Sequence, residues 1–324
     1  MAEGSDWFAT IQVPLQSWIN DHFFWLAEHV RPWFGALRAP AIAFTDGVAA
    51  LLGAVPPPLL LLLLFLSAWQ LNGLLSATFL VLVMTLVGAL GVWGDMLQTF
   101  SLILAAVLLC MAVGLPLGFA MARSDRVQAV LTPALDLMQT LPAFVYLVPI
   151  VLVVGIGSLP GVLVAFVFAV PPIIRLTNLG LRNVPVPMFE AAQALGASPT
   201  KILVSVEIPN ALPTILLGVN QTIMMALAMV TYASMIGVGG LGRLVLQGIG
   251  RLDMGLAMVG GLGIAALAIL CSTLFATRPR ERRGPAWAGS PYALLKTMFG
   301  QVTPRGDARL PQRRYAPQGD RSHV

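Results

Sequence analysis

Charged residues are scarce in this chain. Only 10% of its 324 residues are charged and 57% are hydrophobic, which gives a mean hydropathy of +0.84. A soluble domain usually carries about 25% charged residues, whereas apolar runs of about 20 residues are typical of helices that span a membrane. The composition therefore excludes an ordinary soluble domain and predicts an all-α polytopic membrane protein.

Side chains that build metal and catalytic sites are also few. The three histidines, His22, His29 and His323, are too widely scattered for a histidine-based metal or catalytic site. Cys110 and Cys271 lie far apart in apolar runs, without the spacing of metal ligands. We interpret both cysteines as packing residues and expect no metal site.

The chain lacks a nucleotide-binding P-loop. Such a loop requires a Gly-Lys pair, and the only two lysines, Lys201 and Lys296, follow threonine and leucine. We therefore expect no enzymatic activity and no cofactor in this chain. Its net charge of +5 does not indicate nucleic-acid binding, because 10 of the 19 basic residues lie after residue 277.

Seven apolar segments are predicted to span the membrane. They lie at roughly residues 57–75, 76–93, 97–122, 139–157, 160–177, 213–236 and 255–277. The fourth contains Pro142 and Pro149, which should kink it.

Acidic and basic residues are essentially absent between the borders of these predicted spans. A charge there costs at least about 3 kcal/mol and is normally kept only for function. The absence argues against an ion-coupled secondary carrier, since such carriers usually keep intramembrane charges, although backbone carbonyls can also form ion sites. An ATP-independent carrier or channel thus remains an alternative, and the favoured interpretation is that energy is supplied by another chain.

The two ends differ from this central region of residues 57–277. Residues 1–56 hold Trp18 and Trp25 seven positions apart among scattered charges, and the first six residues carry no base, unlike a secretory signal. They predict a periplasmic region with one or two interfacial amphipathic helices, or a soluble tail packed on the membrane domain. Residues 278–324 are rich in arginine and proline and are predicted to be a disordered tail.

A polar interruption, residues 183–213, separates two long apolar runs. Prolines near its start prevent a continuous helix, so Phe189–Leu195 is predicted to form a short helix that ends at Gly196. Ser198 and Pro199 then suit the N-cap and first position of a second helix. From the residues alone, an alanine-rich connecting loop explains this pattern equally well.

The same interruption resembles the EAA loop of ABC-importer membrane subunits. The resemblance rests on Glu190-Ala191-Ala192, on Gly196, and on the Ile208-Pro209 and Leu212-Pro213 pairs that follow. In that family the loop is a coupling helix that docks into a groove on the cytoplasmic ATPase. The resemblance implies a coupling role for Glu190, Ala191, Ala192, Gly196 and Ala197.

Three further stretches, residues 138–146, 171–178 and 220–227, closely resemble the glycine betaine/proline betaine (quaternary-amine) importer permeases. The glycine-rich turn that ends at residue 253 resembles them too, so the likeness covers about residues 95–275. It implies a type I ABC-importer permease fold in a bacterial inner membrane. It also implies a homodimer on two copies of an ATPase that binds ATP and magnesium, fed by a periplasmic binding protein. The substrate implied is betaine, choline or a related solute; a permease for an amino acid or a sulfonate is the alternative.

Polar side chains near mid-domain are candidates for the translocation pathway. They are Gln139, Thr140, Tyr146, Asn220, Gln221 and Thr222. An aromatic ring can attract a quaternary ammonium, but a single tyrosine forms no cage, and these groups can also simply bridge helices. We expect substrate selection to reside in the binding protein.

Placing residues 183–213 in the cytoplasm, with seven spans, puts the N-terminus outside and the C-terminus inside. Fifteen of the 19 basic residues then lie inside, as the positive-inside rule requires. The tail supplies most of this bias; without it, the numbers inside and outside are nearly equal.

Overall fold

The computed structural model describes residues 15–275, and within this range it contains helices and no strands. The helices are α1 (Leu15–Ala54), α2 (Pro57–Asn72), α3 (Leu74–Ala89), α4 (Trp93–Arg123), α5 (Asp125–Thr140), α6 (Ala143–Val154), α7 (Ser158–Arg182), α8 (Val186–Ala194), α9 (Pro199–Ile202), α10 (Ile208–Ala228), α11 (Val230–Ser234), α12 (Leu241–Arg251) and α13 (Met254–Phe275). A π-helical turn, Leu203–Glu207, joins α9 to α10.

Five helical segments of the described range are long and apolar enough to cross a membrane. They are Ser17–Ala54, Trp93–Arg123, Ser158–Arg182, Pro199–Ser234 and Met254–Phe275. Helices α5 and α6 give a sixth if they are counted as one span that bends by 98°. These segments confirm the predicted all-helical membrane protein, but they number five or six within the described residues, where the sequence predicted seven.

The helices within the predicted spans are shorter in three places. The segments expected at 57–75 and 76–93 contain α2 and α3, which have 16 residues each and meet at Gly73, where φ is +90°. The expected fourth span contains α6, which has only 12 residues. The chain breaks just before α6 because Pro142 favours extended geometry at Leu141, so the kink predicted there is confirmed.

Helix α1 replaces the one or two interfacial helices expected near the N-terminus. It is one helix of 40 residues that packs against α4, α6 and α7. Arg31 and Arg38 of α1 donate to the carbonyls of Leu152 and Ile156, at 3.3 and 3.2 Å. These two arginines therefore place positive charge at the C-terminal end of α6, where the helix dipole favours it. The expectations for residues 1–14 and 276–324 fall outside the described residues.

Helices α4, α7 and α10 form a closely packed centre. A Cβ atom added to Gly118 of α4 would lie 2.6 Å from the Thr177 side chain and 2.7 Å from the Ile174 carbonyl of α7. One turn further along α7, a Cβ at Gly180 would lie 3.1 Å from the Ala211 carbonyl of α10. Small residues thus let the backbones approach, as is usual between membrane helices.

The glycine-rich stretch that the sequence analysis interprets as a turn ending at residue 253 is a sharp turn only before α12, because its second half forms that helix, Leu241–Arg251. Gly237 and Gly240 have φ values of +81° and +92°, which glycine adopts readily. The turn packs against the start of α4, where the Leu241 amide donates to Thr99 Oγ1 at 2.8 Å. At that end of α4, Arg243 also pairs with Asp95 at 3.4 Å.

Candidate functional site

Residues 183–213 fold into the short helix, glycine corner and second helix that the sequence predicts. After α8, Gly196 adopts a φ of +75°. The Gly196 amide donates to the Gln193 carbonyl at 2.9 Å, and the Ala197 amide donates to the Ala192 carbonyl at 3.1 Å. This is the Schellman arrangement that ends many helices at glycine. Ser198 then caps α9 by accepting from the Lys201 amide at 3.4 Å.

Helix α8 is accessible along its whole length. None of its residues is buried; Glu190 and Ala191 are exposed, and Ala192 is half-buried. The apolar Leu195 side chain, just after the helix, is 88% exposed, and nothing lies within 4 Å of a Cβ added to Gly196. Small and apolar groups that stand open in this way are typical of a protein-docking surface.

An ion pair that the sequence analysis missed lies beneath α8. Glu207 ends the π-helical turn, and its side chain is only 9% exposed. Arg123, the last residue of α4, donates from Nη1 to Glu207 Oε1 at 3.2 Å and from Nη2 to Oε2. Such a two-pronged, charge-assisted contact is geometrically specific. The Arg123 guanidinium also lies 5.0 Å from the centre of the Phe119 ring.

Arg123 and Glu207 line a cavity of about 480 Å³ together with Phe189 and Gln193 of α8 and Pro199 of α9. The ion pair thus joins the base of the 183–213 loop to the end of α4. No local sequence pattern predicts this contact, because Arg123 and Glu207 are 84 positions apart.

Three of the predicted pathway residues come together at the break between α5 and α6. Gln139 is half-buried and Thr140 is exposed at the end of α5. Tyr146 of α6 donates its hydroxyl hydrogen to the Leu137 carbonyl of α5 at 2.9 Å. This hydrogen bond stabilises the bend between the two helices.

The other three predicted pathway residues lie on α10. Gln221 is exposed and Asn220 is half-buried, whereas Thr222 is fully buried. Asn220 Oδ1 and Thr222 Oγ1 are buried with no hydrogen-bond partner among the described residues. Because Thr222 has no exposed surface, it does not face an open pathway in this conformation.

Arg175 is an exception to the expectation that the predicted spans contain essentially no charge, and the candidate span Ser17–Ala54 also carries charges, among them Arg31 and Arg38. Helix α7 continues to Arg182, so Arg175 lies two turns inside a candidate span. It pairs there with Asp136 of α5. The sequence analysis missed the pair because the polar composition of α5 is typical of a loop, so Asp136 was left between two predicted spans.

Comparisons with known proteins agree on one family. The profile of the family described as "binding-protein-dependent transport system inner membrane component" matches residues 114–277. The glycine betaine/proline betaine transport system permease protein ProW of Escherichia coli (strain K12) is 48% identical over 298 residues, which cover 91% of this chain and 84% of ProW. The glycine betaine/carnitine transport permease protein GbuB of Listeria monocytogenes is 40% identical over 81% of this chain and 94% of its own length.

Among solved structures, an inward-facing MetNI methionine ABC transporter contains a chain that matches this fold with a TM-score of 0.52. The match covers 57% of the present chain and 92% of that one, at 20% identity. This likeness supports the predicted type I importer permease fold.

Proposed function

The chain belongs to the family of binding-protein-dependent transport system inner membrane components, and from that membership we propose that it imports quaternary-amine solutes such as glycine betaine and proline betaine. The observation that carries the proposal is the 48% identity to a permease named for these two solutes, across nearly the whole of both chains. The chain is the membrane-spanning permease subunit of an ABC importer.

The importer is proposed to contain two copies of this chain, two copies of a cytoplasmic ATPase and a periplasmic binding protein. The ATPase binds ATP and magnesium. Helix α8 supplies the docking surface for the ATPase, with Glu190 positioned for a charge-assisted contact and the small residues at 191, 192, 196 and 197 permitting close approach. The exposure of α8 and of Leu195 supports this assignment.

Movement of α8 is proposed to drive alternating access. When ATP closes the ATPase pair, α8 moves with it, and the contact between Arg123 and Glu207 carries the displacement to α4. Because α4, α7 and α10 pack through glycines without intervening bulk, they respond as a unit, and the permease changes from inward-facing to outward-facing. ATP hydrolysis resets the cycle.

The protein is a multi-pass protein of the inner membrane. We propose that residues 183–213 lie in the cytoplasm, with the N-terminus outside and the C-terminus inside. In this arrangement α1 stays on the outer side and does not cross the membrane, because its Arg31 and Arg38 contact the outer end of α6. The start of α4 and the turn before α12, which meet at Thr99 and Leu241, then lie at the periplasmic face, where the binding protein docks.

Uptake of labelled glycine betaine, proline betaine and choline tests the proposed function in cells that lack their own osmolyte importers. Cells expressing this chain with its ATPase and binding protein should show saturable uptake, and omission of any component should abolish it. Uptake by this chain alone would contradict the ATP-driven mechanism. Expression of all three components without uptake of these solutes would contradict the substrate class and favour another small solute.

A further inference from the structure

One face of α5 carries a continuous polar stripe. Asp125, Gln128, Thr132, Asp136 and Gln139 follow one another at intervals of three or four residues, so their side chains lie on the same side of the helix. The stripe extends from the first residue of α5 to the residue before its last. In a chain with so few charged residues, such a stripe requires a polar environment along the whole helix.

Two arginines of α7 face the two acids of this stripe. Arg182 Nη2 lies 2.7 Å from Asp125 Oδ1, and Arg175, two turns earlier, pairs with Asp136. Next to the first pair is a groove of about 560 Å³, lined by Asp125, Gln128, Thr132 and Arg182.

The Asp136–Arg175 pair lies deeper than the other charges at this end of the molecule. Arg182 is the last residue of α7, and its Nη2 donates to the Met121 carbonyl near the end of α4 at 2.9 Å. Arg175 is about 10 Å further along α7, at 1.5 Å per residue.

The pair is also open to its surroundings. The Arg175 and Asp136 side chains are 40% and 55% exposed in the single chain. Ionised groups at such depth normally face water or the interior of a bundle and mark substrate pathways, since contact with lipid is costly. The stripe therefore faces an aqueous route or another subunit.

We propose that the stripe on α5 lines the route of the solute and that Asp136 and Arg175 form a transient site for a zwitterion. This assignment rests on the proposed function. The carboxylate of the solute binds the Arg175 guanidinium, while its quaternary ammonium lies against the Asp136 carboxylate. Arg175 Nη2 pairs with Asp136 and the Arg175 side chain is 40% exposed, so a carboxylate can reach the same guanidinium from the open side.

Exchange between the ion pair and a zwitterion keeps the local charge balanced. The Asp136 and Arg175 side chains exchange each other for the opposite charges of the solute, so neither is left without a partner. When the solute departs, Asp136 and Arg175 pair again. Because the ion pair competes with the solute, the site binds the solute weakly and releases it readily, as a transport pathway requires.

The test uses the complete importer, reconstituted in proteoliposomes with ATP inside and solute-loaded binding protein outside. The variants are Asp136→Asn, Arg175→Gln and the double variant D136N/R175Q. The control is Arg126→Gln, which removes an exposed charge of α5 that lies off the stripe. The readouts are the maximal rate of glycine betaine uptake, the melting temperature of the complex and the stimulation of ATP hydrolysis by the loaded binding protein.

A solute site and a structural ion pair predict different results for the double variant. Removing both partners of a structural pair is often nearly neutral, because no charge is left unpaired. We expect D136N/R175Q instead to lose at least about tenfold in maximal uptake rate, the effect of losing hydrogen bonds to charged groups. The melting temperature and stimulated ATP hydrolysis should stay at wild-type values, and the control should transport within about twofold of wild type.

Uptake by D136N/R175Q within about twofold of wild type would overturn the site and leave the proposed importer standing. If the double variant melts lower than the control, Arg175→Lys and Arg175→Gln are compared in its place. Arg175→Lys, which keeps the charge, should retain more uptake; equal loss in both would overturn the site. Absence of glycine betaine uptake by the wild-type importer would contradict the proposed function and, with it, this assignment.

Discussion

Gly196 combines a left-handed backbone conformation with open space around its Cα atom. Its φ of +75° lies in the left-handed region, and nothing in the described chain stands within 4 Å of a Cβ placed there. The left-handed conformation ends α8, and the open space leaves room for a partner to approach the corner. Substitutions that differ in side-chain size can test the two properties separately.

Gly196→Trp is expected to lower uptake at least tenfold while the amount of inserted protein stays within about twofold of wild type. The indole fills the open space where the proposed ATPase docking takes place, whereas the left-handed conformation costs about 1–2 kcal/mol locally. Gly196→Asn is the control, since asparagine tolerates this conformation and has a much smaller side chain, and it should retain most of the uptake. Normal uptake by Gly196→Trp at wild-type expression would count against docking at this corner.

Substitutions at Arg123 and Glu207 test whether their ion pair stabilises the base of the 183–213 loop. Arg123→Ala leaves a buried carboxylate without its partner, which costs about 1–3 kcal/mol, toward the low end because the Arg123 side chain is 48% exposed. We expect the melting temperature to fall by several degrees and R123A/E207Q to recover most of the loss. The control is Arg126→Ala, an exposed neighbour, which should melt like wild type. Equal melting of Arg123→Ala and wild type would contradict the role of this pair.

At the level of helices, the close approach of α4 and α7 depends on glycine. The Cβ of Gly118→Ala would lie 2.7 Å from the Ile174 carbonyl, a backbone atom that cannot move aside easily. Overpacking of this kind costs about 1–3 kcal/mol, against a gain of up to about 1 kcal/mol in helix propensity.

Gly118→Ala should therefore lower the melting temperature, whereas Gly94→Ala should not. Gly94 lies in the same helix, with nothing within 4 Å of the added Cβ, so it shows the propensity gain alone. Thermal melting of both purified proteins measures the difference. A melting temperature of Gly118→Ala at or above that of Gly94→Ala would contradict the close packing of α4 and α7.

Sequence patterns predicted some elements and failed at others for identifiable reasons. The break before α6 follows from the fixed geometry around Pro142, and the corner after α8 follows from Gly196, since both are local effects. Helix α1 was not predicted as a candidate span because charges are scattered along it, and Arg31 and Arg38 find acceptors only on α6. Helix α5 was not predicted because its polar stripe is recognisable only in the fold, where Arg175 and Arg182 of α7 pair with the two acids of the stripe.

The same distinction applies to the candidate site. The EAA-like residues are contiguous, so their pattern is visible in the chain, and the structure shows that their helix is exposed. The partners Arg123 and Glu207 are brought together only by the fold. Burial of Thr222 likewise depends on tertiary packing, and no local pattern separates it from its exposed neighbour Gln221.

On the scale of the whole molecule, α4 connects the glycine-rich turn with the base of the 183–213 loop. Its 31 residues span about 46 Å at 1.5 Å per residue. Asp95 and Thr99 at its start hold the glycine-rich turn, and Arg123 at its end holds the base of the 183–213 loop. The polar stripe of α5 begins two residues after α4 ends. A displacement at α8 therefore has a continuous helical connection to the opposite face, past the proposed route of the solute.

The measurement that tests this account most directly is accumulation of labelled glycine betaine in proteoliposomes. The vesicles contain the permease and its ATPase, with ATP inside and the binding protein outside. The account predicts that the solute rises above its external concentration with ATP, and that ADP inside or omission of the binding protein abolishes the accumulation. Equal accumulation without ATP, or by the permease alone, would contradict it.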